Sequence, residues 1–148
     1  MTGVITTAPL KKFLDAVSYV RANNKMMLEN LSSSMDIAII YADYILDCES
    51  QGVEPEVVFR LVYDGVHCTG GYCVINGELC SFWSTIDGRG TWLLDNAIAD
   101  GAYHLNCFDG YLTTLYSQRG FKEYKRLPNW NSNGPDVIFM NKGEPKCV

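Results

Sequence analysis

Two short stretches of the chain carry groups of a kind that can do chemistry. The first is DGRGTW, Asp87 to Trp92, where Gly88 and Gly90 lie between a strand-like run and a helix-like run. Glycines there allow backbone shapes that other residues resist. Successive N–H groups can then face one point beside a helix N-terminus, an arrangement that suits a pyrophosphate. The stretch lacks the Gly-Lys-Ser/Thr ending of a P-loop and the full Gly-x-Gly-x-x-Gly fingerprint, and a tight turn with no ligand is the commoner meaning of such glycines. The second stretch is LYSQRGF, Leu115 to Phe121. Tyr116 rides the last turn of a helix that Gly120 stops. Its hydroxyl either gives a proton to a substrate or belongs to a packed core aromatic.

Other reactive side chains point less clearly. The cysteines stand at 48, 68, 73, 80, 107 and 147. No secretion signal is legible in MTGVITTAPLKKF, so free thiols are expected rather than a disulfide framework. His67, Cys68, Cys73 and Cys80 match no common zinc spacing, and no metal is expected. Cys107 has no His/Asp arrangement beside it and reads as a small buried strand residue. His104 reads as a sheet or surface residue.

The elements that must position these groups follow from periodicity. LKKFLDAVSYVRAN places Leu10, Phe13, Leu14 and Val17 on one helical stripe after Pro9. SSSMDIAIIYADYILDCESQG predicts a second helix, with a serine N-cap and Gly52 as its stop. EVVFRLVYDG, GYCVING and ELCSFWS predict an antiparallel meander, with Asn76-Gly77 as a hairpin turn. IDGRGTWLLDNAIADGA predicts a helix with Leu93, Leu94, Ala97 and Ile98 on its apolar side. AYHLNCF is a short buried strand, DGYLTTLYSQRG a helix, and FKEYKRL and DVIFMN two final strands. From residue 56 the order is β-β-β-α-β-α-β-β. The fold class is therefore α/β (α+β), a mixed sheet flanked by helices, and the helical crossover lets ELCSFWS and AYHLNCF run parallel.

At 148 residues the chain reads as one domain, with helices over 1–55 and the sheet core over 56–148. Its net charge of −5 argues against broad contact with nucleic acid phosphates. IAIIYA, the longest apolar run, is too short to span a bilayer. The cytoplasm is the expected location, with no membrane partner.

The order strand, glycine turn, helix, strand, helix ending in LYxxxGF, strand resembles that of the GNAT (general N-acetyltransferase) superfamily. The likeness runs through DGRGTWLLDNAIADGA and YHLNCFDGYLTTLYSQRGF, over about residues 70 to 127. It is also similar to a diverged, phage-associated branch whose CFDGYL…LY…GF segment precedes a final strand like PDVIFM, Pro135 to Met140. The resemblance implies acetyl transfer from acetyl-CoA, as co-substrate, to an amine. It implies a pyrophosphate on the N–H groups of Asp87, Gly88, Arg89, Gly90, Thr91 and Trp92, and a pantetheine arm along ELCSFWS. A backbone N–H of Trp83 or Ser84 would polarise the thioester carbonyl. It implies Tyr116 as the general acid and Glu78 as a base, although Glu78 also reads as a solvated charge beside the hairpin turn. Asp109 stands where many relatives carry a CoA-contacting asparagine, and Asn106 is a neighbouring candidate.

Some positions depart from the family pattern. Thr85 stands where the family has Arg or Gln, and Asp87 brings negative charge to the phosphate loop, offset in part by Arg89. Two classes therefore stay open. One is an acyl-CoA-dependent N-acyltransferase acting on a small amine or a protein. The other is a catalytically inactive GNAT-like binding module, such as a phage-encoded modulator of a host protein, with Trp130 as an exposed contact. Acceptor recognition is expected from residues 1–55 and 128–135.

Overall fold

The computed structural model describes residues 3–130 and 133–143. The elements run β1 (Val4–Thr7), α1 (Leu10–Asn23), α2 (Lys25–Asn30), α3 (Ser34–Gln51), β2 (Val57–Asp64), β3 (His67–Ile75) and β4 (Glu78–Ser84). They continue with α4 (Gly90–Ala99), β5 (His104–Phe108), α5 (Tyr111–Ser117), β6 (Lys122–Leu127) and β7 (Val137–Asn141). One seven-stranded sheet has the order β1-β2-β3-β4-β5-β7-β6. Every adjacent pair is antiparallel except β4 with β5, which is parallel. VITT supplies the opening strand, on the edge beside β2.

Local rules account for most boundaries. The Ser33 hydroxyl accepts from the Asp36 N–H and caps α3, and Gly52 ends that helix at φ 66°. Asn76 and Gly77 turn the β3–β4 hairpin with φ 53° and 78°. Three differences from the sequence reading stand out. Residues 1–55 are not helical throughout, because Val4–Thr7 joins the sheet as an edge strand. A short helix, α2, fills the link between α1 and α3, capped by the Asn24 side chain. Strand β3 also begins at His67, four residues before the predicted GYCVING. Gly70 and Gly71 are inside that strand because Trp83 crosses them. A Cβ on Gly70 would lie 2.7 Å from the Trp83 carbonyl, and one on Gly71 2.7 Å from the indole. The glycines there serve packing, and a strand interior containing them hides from propensity.

The sheet carries a core on each face. On one, α4 and α5 bring Leu93, Leu94, Ala97, Leu115 and Tyr116 against Tyr72, Leu79, Leu105 and Ile138. On the other, α1 and α3 bring Phe13, Val17 and Ile37 against Phe59, Leu61, Cys73 and Trp83. A bulge at Cys80, where β4 has one residue more than β3, lets Leu79 and Phe82 face the first core and Trp83 the second.

Buried polar groups tie α4 to the sheet. The Tyr72 hydroxyl donates to Asp100, and Arg60 donates to the same carboxylate at 3.1 and 3.2 Å and also to Thr7. Burial alone would raise the Asp100 pKa, but the hydrogen bonds from Arg60 and Tyr72 and the charge of Arg60 leave it below the ordinary 3.8. A depressed carboxylate pKa adds stability above its unfolded value and loses it as pH falls through the folded one. Asp100→Asn should therefore cost about 1–2 kcal/mol at neutral pH, allowing for partial exposure. The difference from the parent should shrink between about pH 5 and about pH 3 in urea melts.

Candidate functional site

Strands β4 and β5 meet at one register pair, Glu78 with His104. The Gly77 carbonyl accepts from the Tyr103 and His104 N–H groups at 2.9 and 3.3 Å and closes this end. From there β5 turns to β7, with which it pairs along its length. Beyond Glu78, β4 has no strand on that side among the described residues. The Thr85 N–H donates to the Thr69 carbonyl, so the alternation of an antiparallel pair directs Trp83 toward β3 and Phe82 and Ser84 into the open side. Of the two residues expected to offer an oxyanion N–H, Ser84 is aimed at the gap and Trp83 at Gly71. The Trp83 indole packs on Phe13, across the sheet.

At the far end of β4 the chain turns into α4. The Ser84 hydroxyl donates to the Ile86 carbonyl and accepts the Ile86 N–H. Gly88 sits at φ 83° with open space where a Cβ would be. No side chain caps α4, and its first turn holds no acid. The first helical bond runs from Leu93 to the Arg89 carbonyl, which leaves the N–H groups of Gly90, Thr91 and Trp92 without helical partners. Gly90 lies against Leu115, 3.2 Å from where its Cβ would stand.

The charged candidates are engaged elsewhere. Arg89 is buried at 6% exposure and forms a two-pronged pair with Asp64, at 2.7 Å on each arm. It also donates to the Thr69 hydroxyl and lies over the Trp92 ring. It therefore pins α4 to the β2–β3 hairpin and does not offset the exposed Asp87. Asp109 accepts from Arg126, which also bonds Glu123 and Asp136. Asn106 is exposed on β5 opposite Phe139. Thr85 is exposed, and its hydroxyl donates to the Thr69 carbonyl. Glu78 is half-buried at the closed end, about 13 Å along β4 from Phe82.

Tyr116 is 4% exposed. Its ring meets Phe82 of β4 at 6.0 Å and Phe121 at 5.9 Å, both edge-on. Among the described residues its hydroxyl makes no hydrogen bond. Burial, and then the neighbouring Cys107, push its pKa above the ordinary 10.0. With Phe82 on β4 and Cys107 on β5 as neighbours, Tyr116 bridges the two strands where they have parted. Cys107 itself is pushed up to about 11 by burial and then by Asp109, so it is a neutral thiol and a poor nucleophile at neutral pH.

A cavity of about 320 Å³ opens on the other face, lined by Tyr19, Val20, Asn23, Asn24, Cys68 and Trp83. It lies between the α1–α2 junction, in the segment 1–55, and Cys68, Trp83 and Thr85 of the sheet region. The other segment expected to shape an acceptor pocket, 128–135, lies partly outside the described residues, as does Cys147. Among the described residues no group of His, Cys, Asp or Glu could hold a metal ion, and no helix is long and apolar enough to cross a membrane. The Arg89–Asp64 pair and the cavity escaped the sequence reading. Asp64 and Arg89 are far apart in the chain, and nothing in a helical or strand period marks them as partners.

No family model matches the chain, and no curated protein sequence matches it. Solved structures do. The ribosomal-protein-S18-alanine N-acetyltransferase from Escherichia coli superposes with a TM-score of 0.60 at 16% identity, over 93% of this chain and 91% of that one. A chimera of the spermidine N-acetyltransferase SpeG from Vibrio cholerae and hSSAT gives 0.59 at 14% identity, over 95% and 94%. RimL, a ribosomal L7/L12 alpha-N-protein acetyltransferase in complex with coenzyme A, gives 0.58 at 13% identity, over 95% and 93%. At such identity the likeness is one of fold, and it extends over nearly the whole of each chain. The chain therefore has the fold of the GNAT acetyltransferases, the superfamily its sequence resembles.

Proposed function

We propose that this protein is an N-acyltransferase that moves an acetyl group from acetyl-CoA to an amine. The observation that carries this reading is the parting of β4 and β5 after Glu78 and His104, with Tyr116 between the strands and an uncapped α4 at the open end. The free edge of β4 can hold an extended pantetheine amide as an added strand would. The N–H groups of Gly90, Thr91 and Trp92 can hold a pyrophosphate, with the α4 dipole behind them.

The chemistry then follows from the residues. The N–H groups of Ser84 and Phe82 face the place where a thioester carbonyl would lie and can stabilise its developing negative charge. A neutral amine forms the C–N bond, the C–S bond breaks, and the thiolate leaves. The amine loses a proton to a base; Glu78, the candidate on β4, is about 13 Å from Phe82 and would take that proton only through a chain of waters along the gap. Tyr116 donates a hydrogen bond to the departing thiolate, which takes its proton from solvent afterwards. The cavity beside Asn23 and Asn24 is the place we assign to the acceptor, a small amine or a protein amine. Neighbours of this fold are named for ribosomal proteins and for spermidine, and both kinds of amine fit the reading.

A second reading rests on its own observation. Arg89 and Arg126 are both neutralised by acids, and Asp87 stands exposed in the loop, so neither arginine is free to meet a phosphate there. This favours a GNAT-like module whose donor site has been lost. Calorimetric titration with acetyl-CoA separates the two. The enzyme reading expects micromolar binding and a rise in Tm. Gly90→Val should weaken binding at least about tenfold, because its methyls crowd Leu115 and the loop N–H groups, while far-UV dichroism keeps its helical signal. No binding at millimolar acetyl-CoA would establish the module instead.

A further inference from the structure

Helix α3 is apolar on two opposite sides. On one, Ile37, Tyr41, Tyr44 and Cys48 face the sheet; Ile37 and Cys48 are buried, and the two tyrosines pack on the core. On the other, Met35, Ile39, Ala42 and Leu46 repeat the same spacing two residues earlier, a turn of about 200° around the helix. Met35 is 72% exposed, Ile39 53% and Leu46 64%. Single exposed apolar residues are ordinary. Four at intervals of four, three and four form the seam of a two-helix contact. Among the described residues the seam stays exposed.

The rim of the seam indicates what would cover it. Asp36, Asp43 and Asp47 run along one flank, Glu49 stands near the C-terminal end, and all four are exposed. The helix contains no Lys or Arg. None of the four acids has a cationic partner among the ion pairs of the described residues. A second copy of α3 laid along the seam would set one acidic rim against another, which disfavours self-pairing. A helix with apolar a and d positions and Lys or Arg on its flanks satisfies both the seam and the charge. The geometry points to the outer face of α3 as a docking site for a basic amphipathic helix of a partner protein. The site is independent of the donor gap and of whether acetyl-CoA binds.

The test uses the full chain and a labelled helical peptide of three heptads, with Leu at a and d and Lys at e and g. A second peptide carries Glu in place of Lys. Fluorescence anisotropy should show the Lys peptide binding at least about tenfold more tightly than the Glu peptide, and the difference should shrink as NaCl rises to about 0.5 M. The double variant Ile39→Lys/Leu46→Lys should lose the binding at least about tenfold with its Tm unchanged, since both side chains are exposed. The triple variant Asp36→Asn/Asp43→Asn/Asp47→Asn should keep the fold and flatten the salt dependence. Failure of the Lys peptide to bind, equal binding of the two peptides, or full binding by the Ile39→Lys/Leu46→Lys variant overturns the proposal. So does concentration-dependent self-association in sedimentation that the same double variant abolishes, because the seam would then belong to a second copy. Failure to bind acetyl-CoA leaves every one of these outcomes readable.

Discussion

If the chain is the proposed acetyltransferase, Tyr116→Phe should lower kcat about 100-fold and leave the affinity for acetyl-CoA within about twofold, because on that reading the hydroxyl acts only as the thiolate departs. Burial and the neighbouring Cys107 raise its pKa. A raised phenol pKa means that the proton stays on at every ordinary pH, so Tyr116 should add no alkaline limb to the rate profile below about pH 10. The same shift constrains the role. A thiol of ordinary acidity ionises near about 8.5, so complete proton transfer from Tyr116 to the thiolate runs uphill. The hydroxyl therefore works chiefly as a hydrogen-bond donor to the developing charge, a contribution of about 3 kcal/mol in a dry site, which matches the expected loss. Stability does not separate this role from plain core packing. The ring stays between Phe82 and Phe121 in the Phe variant, and the hydroxyl has no partner to lose, so Tm should hold or rise slightly. A variant with unchanged kcat would make Tyr116 a core aromatic and nothing more.

What could be read ahead of the structure was local. The Ser33 cap, the Gly52 stop and the Asn76-Gly77 turn each depend on a few neighbouring residues, and the α4 and α5 stripes depend on one period. The parallel β4–β5 crossover followed from the helix between the two strands. The misses share one cause, which is that their reasons lie across the fold. Gly70 and Gly71 look like a strand breaker until Trp83 is laid over them. Arg89 looks like a phosphate ligand until Asp64 is found facing it. Asp109 looks like an odd substitution in a ligand loop until Arg126 is seen beside it. Arg89 and Asp109 were both singled out from the sequence, and a partner distant in sequence decided what each does. Tyr116 is the converse case, since its suggested position near the gap comes from a motif while its surroundings, Phe82 above all, come from packing alone.

Gly77→Ala should destabilise the protein by about 3 kcal/mol and lower Tm by about 10 °C. Two costs add. Gly77 sits at φ 78°, a left-handed conformation that costs an alanine about 1–2 kcal/mol. An added Cβ would also stand 2.0 Å from the Tyr103 ring, so the ring must move at an overpacking cost of about 1–3 kcal/mol. Gly101→Ala isolates the first cost, because Gly101 has φ 105° and open space around its Cβ. It should lose only about 1 kcal/mol. Adding Tyr103→Ala to Gly77→Ala should restore part of the difference, and the double-mutant cycle measures the overlap directly. Equal losses for Gly77→Ala and Gly101→Ala would show that Tyr103 does not press on the turn. The effect should reach function as well as stability. The Gly77 carbonyl receives the Tyr103 and His104 N–H groups, and the single pair of β4 with β5 lies next to it. A displaced Tyr103 pulls on the point from which the two strands diverge, so acetyl-CoA affinity should fall in Gly77→Ala even at temperatures where the protein stays folded. Gly101→Ala, whose added Cβ meets no atom within 4 Å, should bind as the parent does. A loss of acetyl-CoA affinity in Gly77→Ala but not in Gly101→Ala would make the hairpin turn the point that sets the gap between β4 and β5.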